Sequence, residues 1–192
     1  MKKMLFSLAL VAMTAACTAN NKSNVAKEEL QKAETPVETA DATVAAEEQV
    51  DEDAVTAPDF TLNDLEGKPL KLSSLQGKYV VLDFWGSWCG WCIKGIPKMK
   101  EYYTKYQGKF EILGIDCGDK PEKWREAVKK YELPWLHVYN PEDSQLLQQY
   151  GIQGFPTKII VSPEGKVVKV IVGEDPAFYT LLDEIFGGEK KE

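Results

Sequence analysis

The sequence has one histidine, His137, and four cysteines in 192 residues. A structural zinc site needs four ligands, and beyond Cys89 and Cys92 only Cys117 and His137 could complete one, since Cys17 lies at the end of an apolar leader. Zinc is therefore not expected. The lone histidine has no Ser or Cys at triad spacing, so His137 and its neighbour Tyr139 are assigned structural roles. Long apolar runs are also missing: MLFSLALVAM is about half of the ~20 residues a spanning helix needs. Residues 18–57 contain no aromatic residue and ten acidic residues against three lysines, which cannot build a core. They carry a charge of −7 and the leader +2, so residues 58–192 hold only −2 of the total of −7. No basic cluster stands out, which argues against a nucleic-acid partner. No repeat recurs at solenoid periods.

What is present begins with a leader. Lys2 and Lys3 precede the apolar run, and Thr14, Ala15 and Ala16 close it, the layout of a secretory signal peptide over residues 1–16. The mature chain is expected outside the cytosol. Cys17 resembles the lipidated cysteine of a bacterial lipobox, apart from Thr14, where that motif more often has leucine. Ordinary cleavage after Ala16, with Cys17 left as a free thiol, is the alternative. A lipidated chain would sit on the membrane without crossing it. Residues 17–57 are expected to be an acidic, flexible tether with a span of ~30 to 40 Å, and residues 58–192 the folded domain.

Within that domain KYVVLDFW (78–85) and KFEILGID (109–116) have the pattern of strands buried on both faces. Ile96, Met99, Tyr103 and Tyr106 recur between them at helical spacing, giving a right-handed strand, helix, strand unit. EKWREAVKKY reads as a helix, LHVY as a strand, SQLLQQY as a short helix, and TKIIVSPEGKVVKVIV as a hairpin turning at Pro163-Glu164-Gly165. Asp175 and Pro176 open a last helix whose apolar stripe is Phe178, Leu181, Leu182 and Ile185, and Gly187-Gly188 ends it. The sum is an α/β fold with a mixed central β-sheet and helices on both sides.

The chemistry is concentrated in DFWGSWCGWC, residues 83–92. A disulfide closing so short a loop restricts the unfolded chain little, so a purely structural bridge is a poor explanation of Cys89 and Cys92. As a dithiol the pair is well placed. Cys89 follows a buried strand and precedes a helix, whose N-terminal dipole and free N–H groups favour a thiolate. Cys92, one turn further in and expected to be less exposed, could close back on Cys89 and release a substrate from a mixed disulfide. Asp83 is the one charged residue in its apolar run. Unpaired there, its carboxyl should hold its proton unusually tightly and could serve as proton acceptor for Cys92; the alternative is a hydrated carboxylate at a strand end. Cys117 is expected to be a buried core thiol.

Asp83, Phe84, Trp85, Trp88, Cys89, Gly90 and Cys92 resemble the active-site motif of thioredoxin-fold proteins. Pro97 matches that family's helix proline, and GFPT (154–157) its cis-proline loop, with Pro156 as the cis-proline. APDFTLNDLEGKPLKLSSLQGK is similar to the N-terminal β-hairpin extension of membrane-tethered, TlpA/ResA-like thiol–disulfide oxidoreductases. The resemblance runs from Pro58 to about Phe186. It implies a redox-active disulfide with Cys89 as nucleophile and Cys92 as resolving cysteine, and no bound cofactor. It implies protein disulfide substrates held by Trp88, Gly90, Trp91 and the main chain of Phe155, and an enzyme recharged by a membrane electron donor of the DsbD or CcdA type. It also implies an extracytoplasmic, membrane-anchored reductase, which with the lipobox-like Cys17 gives the expectation of a periplasm-facing, lipid-anchored protein. Two positions depart from relatives: Trp91, where many have Pro, and Gly95, where ResA-like reductases have Glu. Gly86 stands where peroxiredoxins have Thr or Ser, which argues against peroxidase activity. An oxidase or isomerase using the same dithiol, or a membrane-anchored client-binding module without turnover, remains open.

Overall fold

The computed structural model describes residues 55–188. The expected signal peptide, Cys17 and the expected tether up to residue 54 lie outside them. The domain opens with a hairpin of β1 (Thr61–Asp64) and β2 (Pro69–Lys71). Asp64 Oδ1 accepts the N–H groups of Glu66 and Lys68 at 3.0 and 2.8 Å, and Gly67 supplies the left-handed turn residue, φ 79°. A 3₁₀ turn, Leu72–Leu75, follows.

The chain then alternates: β3 (Tyr79–Trp85), α1 (Gly90–Lys105), β4 (Phe110–Cys117), α2 (Pro121–Lys130), β5 (Leu136–Asn140), α3 (Leu146–Gln149), β6 (Thr157–Val161), β7 (Val167–Val172) and α4 (Pro176–Phe186). All seven strands join one mixed sheet in the order β2-β1-β5-β4-β3-β6-β7. β3, β4 and β5 are parallel, while β6 runs antiparallel to β3 and β7 antiparallel to β6. The expected N-terminal hairpin extension is present, with Asn63 of β1 opposite Tyr139 at the β5 edge.

Successive right-handed crossovers from β3 to β4 to β5 step the same way across the sheet, so α1 and α2 fall on one face. α4 joins them: Met99, Trp124 and Phe178 pack in one cluster with Val81 and Ile112. On the other face α3, the 3₁₀ turn and the hairpin cover Leu82, Leu113, Val138 and Ile159. Strand alternation sends Val81, Asp83 and Trp85 to the first face and Val80, Leu82 and Phe84 to the second. Among the described residues no helix is long and apolar enough to cross a membrane.

Three details differ from expectation. The buried stripe of α1 is Cys92, Gly95, Ile96, Met99 and Tyr102; Tyr103 is half-buried and Tyr106 caps the helix. α4 buries Tyr179 beside Phe178 and Leu182, and leaves Leu181 and Ile185 half-covered. The domain's hydrogen bonding reaches back to Val55, whose carbonyl accepts the Val167 N–H at 2.8 Å, and to Ala57, whose N–H donates to Gly165 at 2.9 Å.

Candidate active site

β3 delivers the chain to the rim of the sheet, and the turn Gly86–Trp88 swings it into α1. Cys89 is the N-cap residue of that helix: its N–H donates to Gly86 at 3.0 Å and its Sγ accepts the Cys92 N–H at 3.2 Å. One orphan donor of the first helical turn is thus aimed at a sulfur, which favours negative charge there. Cys89 and Cys92 are joined as a disulfide with Cα atoms 5.3 Å apart. Both are 5% exposed, so in this oxidised form Cys92 is no less accessible than Cys89, because each sulfur covers the other.

An aromatic rim surrounds the pair. Trp88 and Trp91 are 56% and 61% exposed. Trp88 is nevertheless fixed: its Nε1 donates to the Cys117 carbonyl at 2.9 Å and its ring meets Phe155 edge-on at 5.3 Å. Gly86 makes this possible, since a Cβ there would collide with the Trp88 indole. Lys94 lies 4.8 Å over the Trp91 ring. Gly90 starts α1 with open space around it. The Phe155–Pro156 bond is cis, and Thr157 Oγ1 ties the loop by donating to Gly154 at 2.7 Å.

Beneath the cysteines lies a group of buried charges. Asp83 is 6% exposed, and desolvation pushes its carboxyl upward from the usual carboxylate range. It is not unpaired, contrary to expectation: sheet register sets Lys158 of β6 opposite it, and the Lys158 ammonium lies 3.7 Å from Asp83 Oδ1. That separation allows Coulomb attraction but no hydrogen bond, and Oδ1 has no other partner. Lys158 is closer to Glu174, at 3.0 Å. Glu174 also accepts the Tyr179 hydroxyl at 2.5 Å, and its carboxylate occupies the space a Cβ at Gly95 would need. A carboxylate from the loop before α4 thus fills the space beside Gly95. Lys158, Glu174 and Tyr179 were not singled out in sequence. The available signal was Lys158 inside TKIIV, a run buried at every position.

A second acidic pair borders the cysteine turn. Asp119 accepts Ser87 N–H and, at 2.7 Å, the Ser87 hydroxyl, fixing the residue before Trp88. Asp116, fully buried, is pushed up to about 8 by desolvation and then by Asp119. Cys117 is a free, buried thiol as expected, its proton held by burial. His137 meets Trp85 edge-on and Trp135 at a tilt, and burial lowers it to about 4. Among the described residues, no group of three or more His, Cys, Asp or Glu side chains is placed to hold a metal ion.

Comparison with known proteins agrees with this geometry. Residues 54–170 match the model of the AhpC/TSA family. The chain is 39% identical over 119 residues to a thiol-disulfide oxidoreductase ResA of Bacillus cereus, covering 62% of this chain and 68% of that one. Against ResA of Bacillus subtilis it is 37% identical over 133 residues, covering 69% and 73%. Among solved structures it is similar to the thioredoxin domain of a thiol-disulfide oxidoreductase from Bacteroides vulgatus, with TM-score 0.64, 32% identity, and coverage of 69% and 96%. A thiol:disulfide interchange protein from Bacteroides sp. matches with TM-score 0.64 and 33% identity, covering 72% and 92%.

Proposed function

Since the chain belongs to the AhpC/TSA family, and within it to the ResA-like thiol–disulfide oxidoreductases, we propose that it reduces protein disulfides outside the cytosol. The observation that carries this reading is the Cys89–Cys92 disulfide at the N-terminus of α1, framed by Trp88, Trp91 and Phe155. The Cys89 thiolate attacks a substrate disulfide, forming a mixed disulfide and expelling one substrate thiolate. Cys92 then gives its proton to Asp83 and attacks the Cys89 sulfur. The second substrate thiolate leaves, and the enzyme's two thiols have become a disulfide. A membrane thiol donor of the DsbD or CcdA type returns the two electrons. Trp88, Gly90, Trp91 and Phe155 hold the substrate segment beside Pro156, a rim that suits an extended chain. Lipidation at Cys17 holds the domain at a bacterial membrane, facing the periplasm. Gly86 has no room for the side chain that a peroxidatic site would place there, which weighs against peroxide chemistry.

The test is the reduction potential of the Cys89–Cys92 couple, by equilibration with defined thiol and disulfide mixtures. A value near or below about −250 mV supports a reductase, and one above about −180 mV supports an oxidase or isomerase. Absence of a reversible couple removes the enzyme reading in favour of client binding.

A further inference from the structure

One cation stands between a buried carboxylate, Asp83, and a partly buried one, Glu174. The Lys158 ammonium is 3.0 Å from Glu174 Oε2 and 3.7 Å from Asp83 Oδ1. The Lys158 side chain is 2% exposed, so water cannot share its neutralisation. Glu174 is held on its other oxygen by Tyr179 at 2.5 Å, and the absence of a side chain at Gly95 lets it reach this position against α1. Gly95 is three residues after Cys92, so Glu174 sits one helical turn from that cysteine on the same face of α1. The hydrogen-bonded carboxylate takes the lysine's charge, and the other is left in a low-dielectric site with no hydrogen bond to that oxygen.

We propose that Glu174 and Lys158 are a positioning pair for Asp83: Glu174 draws the ammonium towards itself, and Asp83 thereby keeps the proton that Cys92 exchanges. The pair rests on the reading of Asp83 as proton acceptor. In the disulfide form Asp83 is protonated. When a donor thiolate attacks Cys89, the Cys89–Cys92 bond breaks, the departing Cys92 sulfur takes the electron pair, and Asp83 supplies its proton. When Cys92 later resolves a mixed disulfide, the proton returns to Asp83. Tyr179 keeps Glu174 in place. The titratable groups that act on Asp83 or feel it are Lys158 from β6, Glu174 from the loop before α4, Tyr179 from α4 and Cys117 from β4, with Asp116 further along β4 and the two cysteines at the start of α1. Of these only Lys158 is cationic, so its division between two acids decides where the proton resides.

The test is a carboxyl-carbon NMR titration of Asp83 in the oxidised protein, paired with the pH profile of mixed-disulfide resolution. Glu174→Gln frees Lys158 for Asp83 and should move the Asp83 midpoint down by about one pH unit or more. Lys158→Met removes the cation and should move it up by a similar amount. Tyr179→Phe loosens Glu174 and should move it down by less, so the idea stays testable if Lys158→Met does not fold. The resolution profile should shift with the titration in each variant. Midpoints that stay within about 0.3 pH units of wild type, or Glu174→Gln and Lys158→Met moving it the same way, would overturn the pair. Opposite shifts in a protein that turns over no disulfide substrate would leave the pair standing and remove the reductase reading instead.

Discussion

The two faces of the sheet are made by the same strands yet admit different chemistry. Towards α3 and the hairpin, β3 to β6 present Leu82, Phe84, Leu113, Ile115, Val138 and Ile159, all buried and apolar. Towards α1, α2 and α4 the alternate positions include Asp83, Asp116, His137 and Lys158, each at most 6% exposed. Every buried acidic or basic strand residue among the described ones lies on the face towards α1, α2 and α4. Burying such groups costs free energy that apolar burial elsewhere in the core has to offset. Both faces bury apolar side chains, but only one of them also holds charges.

The sharpest break of this contrast is between cysteines. Cys89→Ser should lower disulfide turnover on the order of a thousandfold or more, whereas Cys117→Ser, on the apolar face, should keep it; equal losses in a turnover assay would put Cys117 into the chemistry. Next comes stability. Leu82→Ala should cost about 2 to 5 kcal/mol by chemical denaturation, but Asp83→Asn, its neighbour facing the other way, should cost nothing or stabilise, because Lys158 keeps Glu174 as partner.

The pH dependence separates the charges further. Asp116 is raised to about 8, so its contribution to stability is complete below the ordinary carboxylate range and is lost as pH rises towards 8. His137 is lowered to about 4, so its contribution is present above its ordinary value near 6.5 and is lost as pH falls. The two slopes oppose each other below about pH 6.5, and only the acid's remains above it. Stability should therefore fall from pH 6.5 to 8 by at most about 2 kcal/mol from this group, and Asp116→Asn should flatten that fall. A denaturation series unchanged by the substitution would move the slope elsewhere. The smallest effect belongs to the rim: Trp91→Ala should alter stability by less than about 0.5 kcal/mol, yet raise KM for a protein disulfide several-fold and leave a small disulfide unaffected.

Most of the architecture is legible in the sequence because each strand and helix carries its own period and its own caps. The cysteine motif and Pro156 are local signals too, and so is the burial of Asp83, visible as one acid in an apolar run. What could not be read is whatever depends on register. Lys158 meets Asp83 only because β6 pairs antiparallel with β3, and Glu174 enters through space left at Gly95, on another element. Asp116 reads as the polar end of a strand, but β4 continues to Cys117 with that carboxyl fully buried. No local pattern distinguishes a strand end in water from one roofed by a neighbouring helix.

β6 runs against β3, so the loop that opens it arrives at the rim where the cysteines sit. Between the two loops the chain first passes through α1, β4, α2, β5 and α3. The site is therefore closed by one of the most non-local pairings in the domain, and such pairings cost chain entropy before their contacts repay it. A refolding chain that has formed β3, α1 and β4 but not docked β6 possesses the cysteine pair with no platform beside it. Return of protein-disulfide turnover should trail the return of helical signal, making activity itself a clock for the arrival of β6.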